Sequence, residues 1–84
     1  MISIKGKWYD GRTSAAEDVV CIVYDNGAIR IQRMGDEGLI LTRPRFDITI
    51  SPRLANTQRY LLLPDGGKFE TNDNETVDRI EPSL

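Results

Sequence analysis

The sequence predicts a mostly β fold: a small, strongly bent antiparallel sheet or barrel of six to seven strands with one short C-terminal helix. Three observations predict it. Apolar and polar residues alternate in short runs from Ile2 to Phe69. Turn-forming glycine, proline and asparagine separate those runs at close intervals. After Thr71 the period of two gives way to a cap signal and apolar residues three apart.

The elements follow in chain order. Ile2 to Tyr9 places Ile2, Ile4 and Trp8 on one face and Lys5 and Lys7 on the other, with Gly6 inward, where a missing side chain makes room for a neighbour. Asp10–Ser14 is a loop. Val19–Tyr24 is apolar on both faces and β-branched, which predicts a central strand. Asn26-Gly27 predicts a two-residue type I′ turn, and the return strand carries Ile29 and Ile31 inward. Gly35–Gly38 is a turn and Leu39–Leu41 a short strand before Pro44. Phe46, Ile48 and Ile50 alternate with Asp47, Thr49 and Ser51, predicting a strand that Pro52 stops. Residues 53–58 form a loop.

Tyr60–Leu63, a turn at Pro64-Asp65-Gly66-Gly67 and Lys68–Thr71 read as a hairpin. Asn72 and Glu75 have the spacing of a capping box, which predicts a helix within residues 72–81. Val77 and Ile80 are its sheet-facing residues, and Pro82 disfavours helix at Glu81. A helix of two turns is marginal by itself, so it must pack on the sheet.

Eighty-four residues make one domain. The net charge is −2, unevenly placed: residues 1–63 hold nine Lys/Arg and seven Asp/Glu, and residues 64–84 hold two and six. Neither part has the dense basic stripe expected of a nucleic-acid binder. There is no histidine and one cysteine, which removes the commonest general base, every Ser-His or Cys-His mechanism and any plausible zinc set. No glycine-rich phosphate loop is present. Cys21, amid valines and isoleucine, reads as a small buried hydrophobe. Asp73-Asn74-Glu75 lacks the spaced ligands and glycine turn of a calcium loop and reads as a cap. No catalytic residue, metal or cofactor is therefore expected in this chain.

Candidate binding residues are Tyr9, Arg12, Arg53 and Arg59. On a strand, Trp8 and Tyr9 face opposite ways, so Trp8 belongs to the core and Tyr9 to the surface or an edge. With Arg12 in the adjoining loop, Tyr9 alternatively makes a recognition patch. Arg43, Arg45, Arg53 and Arg59 bracket one strand and its loop. Converging, they suit acidic lipid headgroups or a negative partner; on different faces, they are ordinary solvated charges.

Two blocks carry a family resemblance: Gly6-Lys-Trp-Tyr-Asp-Gly-Arg-Thr-Ser-Ala-Ala16, and Ile50 to Asp78 with its Leu-Pro-Asp-Gly-Gly and Glu-Thr-Asn-Asp-Asn stretches. In order and separation they resemble the N-terminal domain of bacterial membrane-bound zinc metalloproteases related to HtpX and the CAAX prenyl proteases. The resemblance implies that residues 1–84 are an accessory domain cut from a longer protein. It also implies a following membrane helix, a catalytic domain with H-E-x-x-H, and a place on the cytoplasmic side of the inner membrane. No position here matches the metal motif, so no catalytic residue carries over. The expected function is non-catalytic: positioning substrate, the protease domain or the membrane surface. The expected partner is a protein, with the membrane surface as a second possibility, no nucleic acid, and a monomeric domain. The alternative is a free-standing small-barrel adaptor that binds a protein or nucleic acid.

Overall fold

The computed structural model describes residues 1–55 and 57–80. They form seven strands: β1 (Ile2–Tyr9), β2 (Glu17–Val23), β3 (Ile29–Arg33), β4 (Leu39–Arg43), β5 (Thr49–Ile50), β6 (Arg59–Leu62) and β7 (Lys68–Thr71). One helix, α1 (Asn74–Ile80), follows. The strands make a single sheet in the order β4-β3-β2-β1-β7-β6-β5, every pairing antiparallel, bent into a half-barrel. No helix of the described residues is long and apolar enough to cross a membrane.

Alternation decides the inside. Ile4 and Trp8 of β1, Val19, Cys21 and Val23 of β2, Ile29 and Ile31 of β3, Leu61 of β6 and Phe69 of β7 are all buried in one core. Ile48 and Leu63, beside strand ends, join them. Helix α1 adds Val77 and Ile80, both fully buried, as their spacing predicted. Each such burial stabilises the fold by roughly 1.5–3 kcal/mol. The residue at Gly6 must lack a side chain: a Cβ there would lie 2.2 Å from the Glu70 carbonyl oxygen and 2.7 Å from the Phe69 ring. Glycine lets β7 close on β1 and lets Phe69 fill the core.

Four details differ from the sequence-based expectation. The turn at Asn26-Gly27 is a three-residue loop, with Tyr24 N donating to Ala28 O and Gly27 N to Tyr24 O. Gly27 alone takes positive φ, at 86°, so the turn is type I followed by a left-handed residue and not type I′. The Asn26 side chain accepts from Ala28 N, which rewards this geometry. The Pro64–Gly66 turn repeats it, with Leu63 N donating to Gly67 O and Asp65 Oδ1 accepting from Gly67 N.

Second, Phe46 is not on a strand. Residues Arg45–Asp47 form a 3-10 turn that Pro44 starts and the Arg45 side chain latches to Ile48 O, leaving Phe46 86% exposed and only Thr49–Ile50 paired. Proline geometry and two turn hydrogen bonds override the period of two. Third, β2 is a central strand, paired with β1 and β3, but its outward residues Val20 and Ile22 are only partly covered, so one face and not both is buried. Fourth, the helix cap is Asp73 and not Asn72. Asp73 Oδ1 accepts from Thr76 N at 3.2 Å, and Thr76 Oγ1 donates to Asp73 Oδ2 at 2.7 Å. The buried Thr71 hydroxyl sets this register by accepting from Asp73 N and donating to Lys5 O. The predicted stop at Glu81 and Pro82 lies outside the described residues.

Both sheet edges are blunted. In β4, Leu41 pairs with Ile31 and Leu39 with Gln32, so Ile40 is an extra residue that bulges the edge. Arg43 Nη1 donates to Thr42 O beside it, and Pro44 follows. The opposite edge, β5, is two residues long. Such short or bulged edges resist pairing with another chain.

The cap assignment has a direct test. Asp73→Ala is expected to lower stability by ~1 kcal/mol, the ordinary cost of losing an N-cap. Asn72→Ala is expected to change it by less than ~0.5 kcal/mol. Urea unfolding of the two variants measures both, and the reverse order would restore Asn72 as the cap.

Candidate functional site

The outer face of β1, β7 and β6 carries an ordered cluster. Period-two geometry turns Lys5, Lys7 and Tyr9 outward from β1, opposite the buried Ile4 and Trp8. Register sets Tyr9 against Lys68 and Lys7 against Glu70, then Tyr60 against Glu70 and Leu62 against Lys68. Glu70 accepts from both phenols: Tyr60 OH at 2.8 Å on Oε1 and Tyr9 OH at 3.3 Å on Oε2. The hydrogen bond to Glu70 holds the Tyr60 phenol proton and raises its pKa. Lys68 Nζ lies 5.3 Å from the Tyr9 ring centroid and 5.0 Å from that of Tyr60, a cation held between two aromatic faces. Lys7 pairs with Asp18 at 2.6 Å, and this hydrogen bond raises the lysine pKa.

From β3 to β6 the charged residues on the outward side of the sheet are Lys5, Lys7, Arg30 and Lys68 against Asp18 and Glu70. This face is therefore positive on a chain of net charge −2. Leu62, 39% exposed, adds an apolar side chain to it.

The loop after β1 and the β6–β7 turn form the head of this face. Asp10 Oδ1 accepts from Arg12 N at 2.8 Å and Thr13 N at 3.1 Å, and these backbone donors lower its pKa. Gly11 packs against Gly66 backbone to backbone; a Cβ on Gly11 would stand 2.7 Å from Gly66 O. Asp65 accepts from Gly67 N, which lowers its pKa, with Arg43 adding to the effect at 3.4 Å. Between the two loops lies an open cavity of about 420 Å³, lined by Tyr9, Gly11, Thr13, Ser14, Gly66 and Lys68.

Residues 3–84 match the family described as "Domain of unknown function (DUF7092)". The chain belongs to this family. No curated protein and no solved structure matches it.

In this DUF7092 domain the four candidate binding residues separate into two places. Tyr9 stands in the outer cluster, and Arg12 lies exposed on the loop at its head. Arg53 and Arg59 meet elsewhere, on Asp78 of α1. Arg59 is 1% exposed; its Nε donates to Ser51 O at 3.0 Å and its Nη1 to Asp78 Oδ1 at 2.6 Å. Arg53 Nη1 donates to the other Asp78 oxygen from the surface. Arg59 is thus a structural cation within the fold, because it shares the inward parity of Leu61 and Leu63 and finds a carboxylate there. Arg43 and Arg45 turn to Asp65 and to Ile48 O, so the four arginines do not make one patch.

Sequence reasoning did not select Tyr60, Lys68 or Glu70. The signal was present in the hairpin register around Pro64–Gly66, which sets Tyr60 opposite Glu70 and Leu62 opposite Lys68. The contribution of Tyr9 depends on β1 pairing with β7, a contact between chain ends. Among the described residues no group of three or more His, Cys, Asp or Glu side chains is placed to hold a metal ion. Burial pushes the Cys21 thiol up to about 12, which keeps it protonated and unreactive at neutral pH.

The Arg59–Asp78 pair predicts acid sensitivity. The hydrogen bond from Arg59, then that from Arg53, lowers the Asp78 pKa. Its stabilising contribution is present above the ordinary carboxylate pKa of ~3.9 and is lost as pH falls through the lower folded value. Asp78→Asn should melt well below the native protein at pH 7 and should lack this component of acid destabilisation. Melting curves between neutral pH and the acid limit of solubility measure it. Equal melting temperatures at pH 7 would show that the buried Arg59 does not depend on Asp78.

Proposed function

We propose that this DUF7092 domain is a non-catalytic docking domain of a membrane zinc metalloprotease of the HtpX and CAAX prenyl protease type. Its outer sheet face engages an acidic protein surface, either on the rest of the protease or on a substrate. One observation carries this reading. The two blocks behind the resemblance, Gly6–Ala16 and Ile50–Asp78, meet in space: Gly6 lies under Phe69, Gly11 against Gly66, and Tyr9 beside Lys68, Glu70 and Tyr60. The place where they meet is a rigid aromatic and cationic surface, the composition of interface hot spots. Tyrosines locked by hydrogen bonds lose little freedom on binding.

The reading makes no use of catalytic chemistry in this chain. Cleavage would belong to another domain, and this one would raise the local concentration of substrate or fix the orientation of the catalytic unit. Cationic residues around an aromatic centre steer an acidic partner to this face and set its register.

Two results test the proposal. The reading frame should continue past Leu84 into an apolar helix and an H-E-x-x-H motif; a stop codon after Leu84 contradicts the attachment. In the complete gene product, Tyr60→Ala combined with Leu62→Asp should slow cleavage of a protein substrate about tenfold or more, the loss expected from a truncated aromatic anchor. The isolated variant should melt within a few degrees of the native domain, a shift of about 1 kcal/mol or less. Unchanged cleavage by a folded variant would remove the outer face from the mechanism.

A further inference from the structure

We infer that the cavity at the head of the outer face is an oxyanion site, taking a carboxylate or phosphate group presented by a partner protein. The inference rests on the outer-face reading above and adds the chemistry of the ligand. Lys68 is the centre of the site. Its ammonium is fixed between two tyrosine rings, and rings do not use up its three donors. The nearest outward carboxylate in register, Glu70, has one oxygen on Tyr9 and the other on Tyr60. The amino group is thus immobilised with donors left to give, at the wall of a cavity.

The rest of the lining suits the same ligand. Ser14 and Thr13, two hydroxyl-bearing residues, also line it, and the Thr13 hydroxyl accepts from Ala15 N. Gly11 and Gly66 present bare backbone, which permits a close approach. Arg12 is a second cation exposed on the same loop.

The two neighbouring carboxylates are turned away from this use. Asp10 is taken up by Arg12 N and Thr13 N, and Asp65 by Gly67 N and Arg43. A cationic ligand would meet the Lys68 ammonium directly. An anionic one gains charge-assisted hydrogen bonds, which are stronger than neutral ones.

Amide chemical shifts of the 84-residue chain test the site without any knowledge of the partner. The chain is titrated separately with inorganic phosphate, a glutamate-rich peptide, the same peptide carrying phosphoserine, and a lysine-rich control. The amides of Gly11, Thr13, Ser14, Gly66 and Lys68 should move together with the anionic probes and not with the control. Lys68→Gln should weaken binding about tenfold or more, as expected when a hydrogen bond to a charged group is lost. Lys68→Arg should retain most of it, and Ser14→Ala should cost less than Lys68→Gln. The tighter of the two peptides identifies carboxylate or phosphate as the source.

Absence of any shift with all the anions overturns the site. So does equal affinity in a Lys68→Gln variant that melts like the native chain, or an equal response to the lysine-rich peptide. If the titration fails while Tyr60→Ala with Leu62→Asp still slows cleavage, the oxyanion site falls and the docking face stands. If the titration succeeds while cleavage is unaffected, the site stands and the docking face falls.

Discussion

A buried guanidinium on β6 and a carboxylate on α1 hold the two parts of this domain together. Arg59 shares the inner side of the sheet with Leu61 and Phe69, where an unpaired charge would be strongly destabilising. Asp78 is its carboxylate partner, and it can reach Arg59 only if α1 lies at one rotation and one height along the sheet. Val77 and Ile80 then fall into the core. The start of the helix is fixed by the same logic, since Thr71 ties Asp73 to the backbone of β1 through one hydroxyl. A helix of seven residues has little stability of its own, so these contacts set its position.

On the proposed docking function, this closure decides where a partner would act. The inner face is filled by core residues and α1. The edges are a bulged β4 and a two-residue β5, both poor templates for strand addition. What remains is the outer face, where β1, β7 and β6 assemble residues from both ends of the chain. Its tyrosines are oriented by Glu70 and its lysine by the tyrosines, so the surface is preorganised before any partner arrives. The charge of this face opposes the charge of the chain as a whole, which favours approach of an acidic surface at this side.

Much of this was legible in the sequence because it depends on local period. Alternation gave the inward residues of β1 and β3, and the three-residue spacing gave Val77 and Ile80. The misses arose where one particular contact chose between two local options. Asn72 and Asp73 are both good caps, and the Thr71 hydroxyl selected the second. Asn-Gly serves two hairpin geometries, and the strand ends at Tyr24 and Ala28 selected the longer loop. Phe46 fits a strand pattern, but Pro44 and the Arg45 latch made a turn. Arg59 looked like a surface cation, yet its parity with Leu61 and Leu63 already pointed inward. The outer cluster was half legible: the hairpin alone pairs Tyr60 with Glu70, whereas Tyr9 joins only through the pairing of β1 with β7.

Cysteine accessibility tests the central claim, that the outer face is covered in the working protein, most directly. Cys21 is fully buried and gives no background. Leu62→Cys on the outer face and Phe46→Cys on the exposed 3-10 turn are labelled with a maleimide, both in the isolated chain and in the complete gene product with its substrate. The account predicts rapid labelling of both sites in the isolated chain, and protection of position 62 but not of position 46 in the complete protein. Equal labelling of position 62 in the two settings would contradict it.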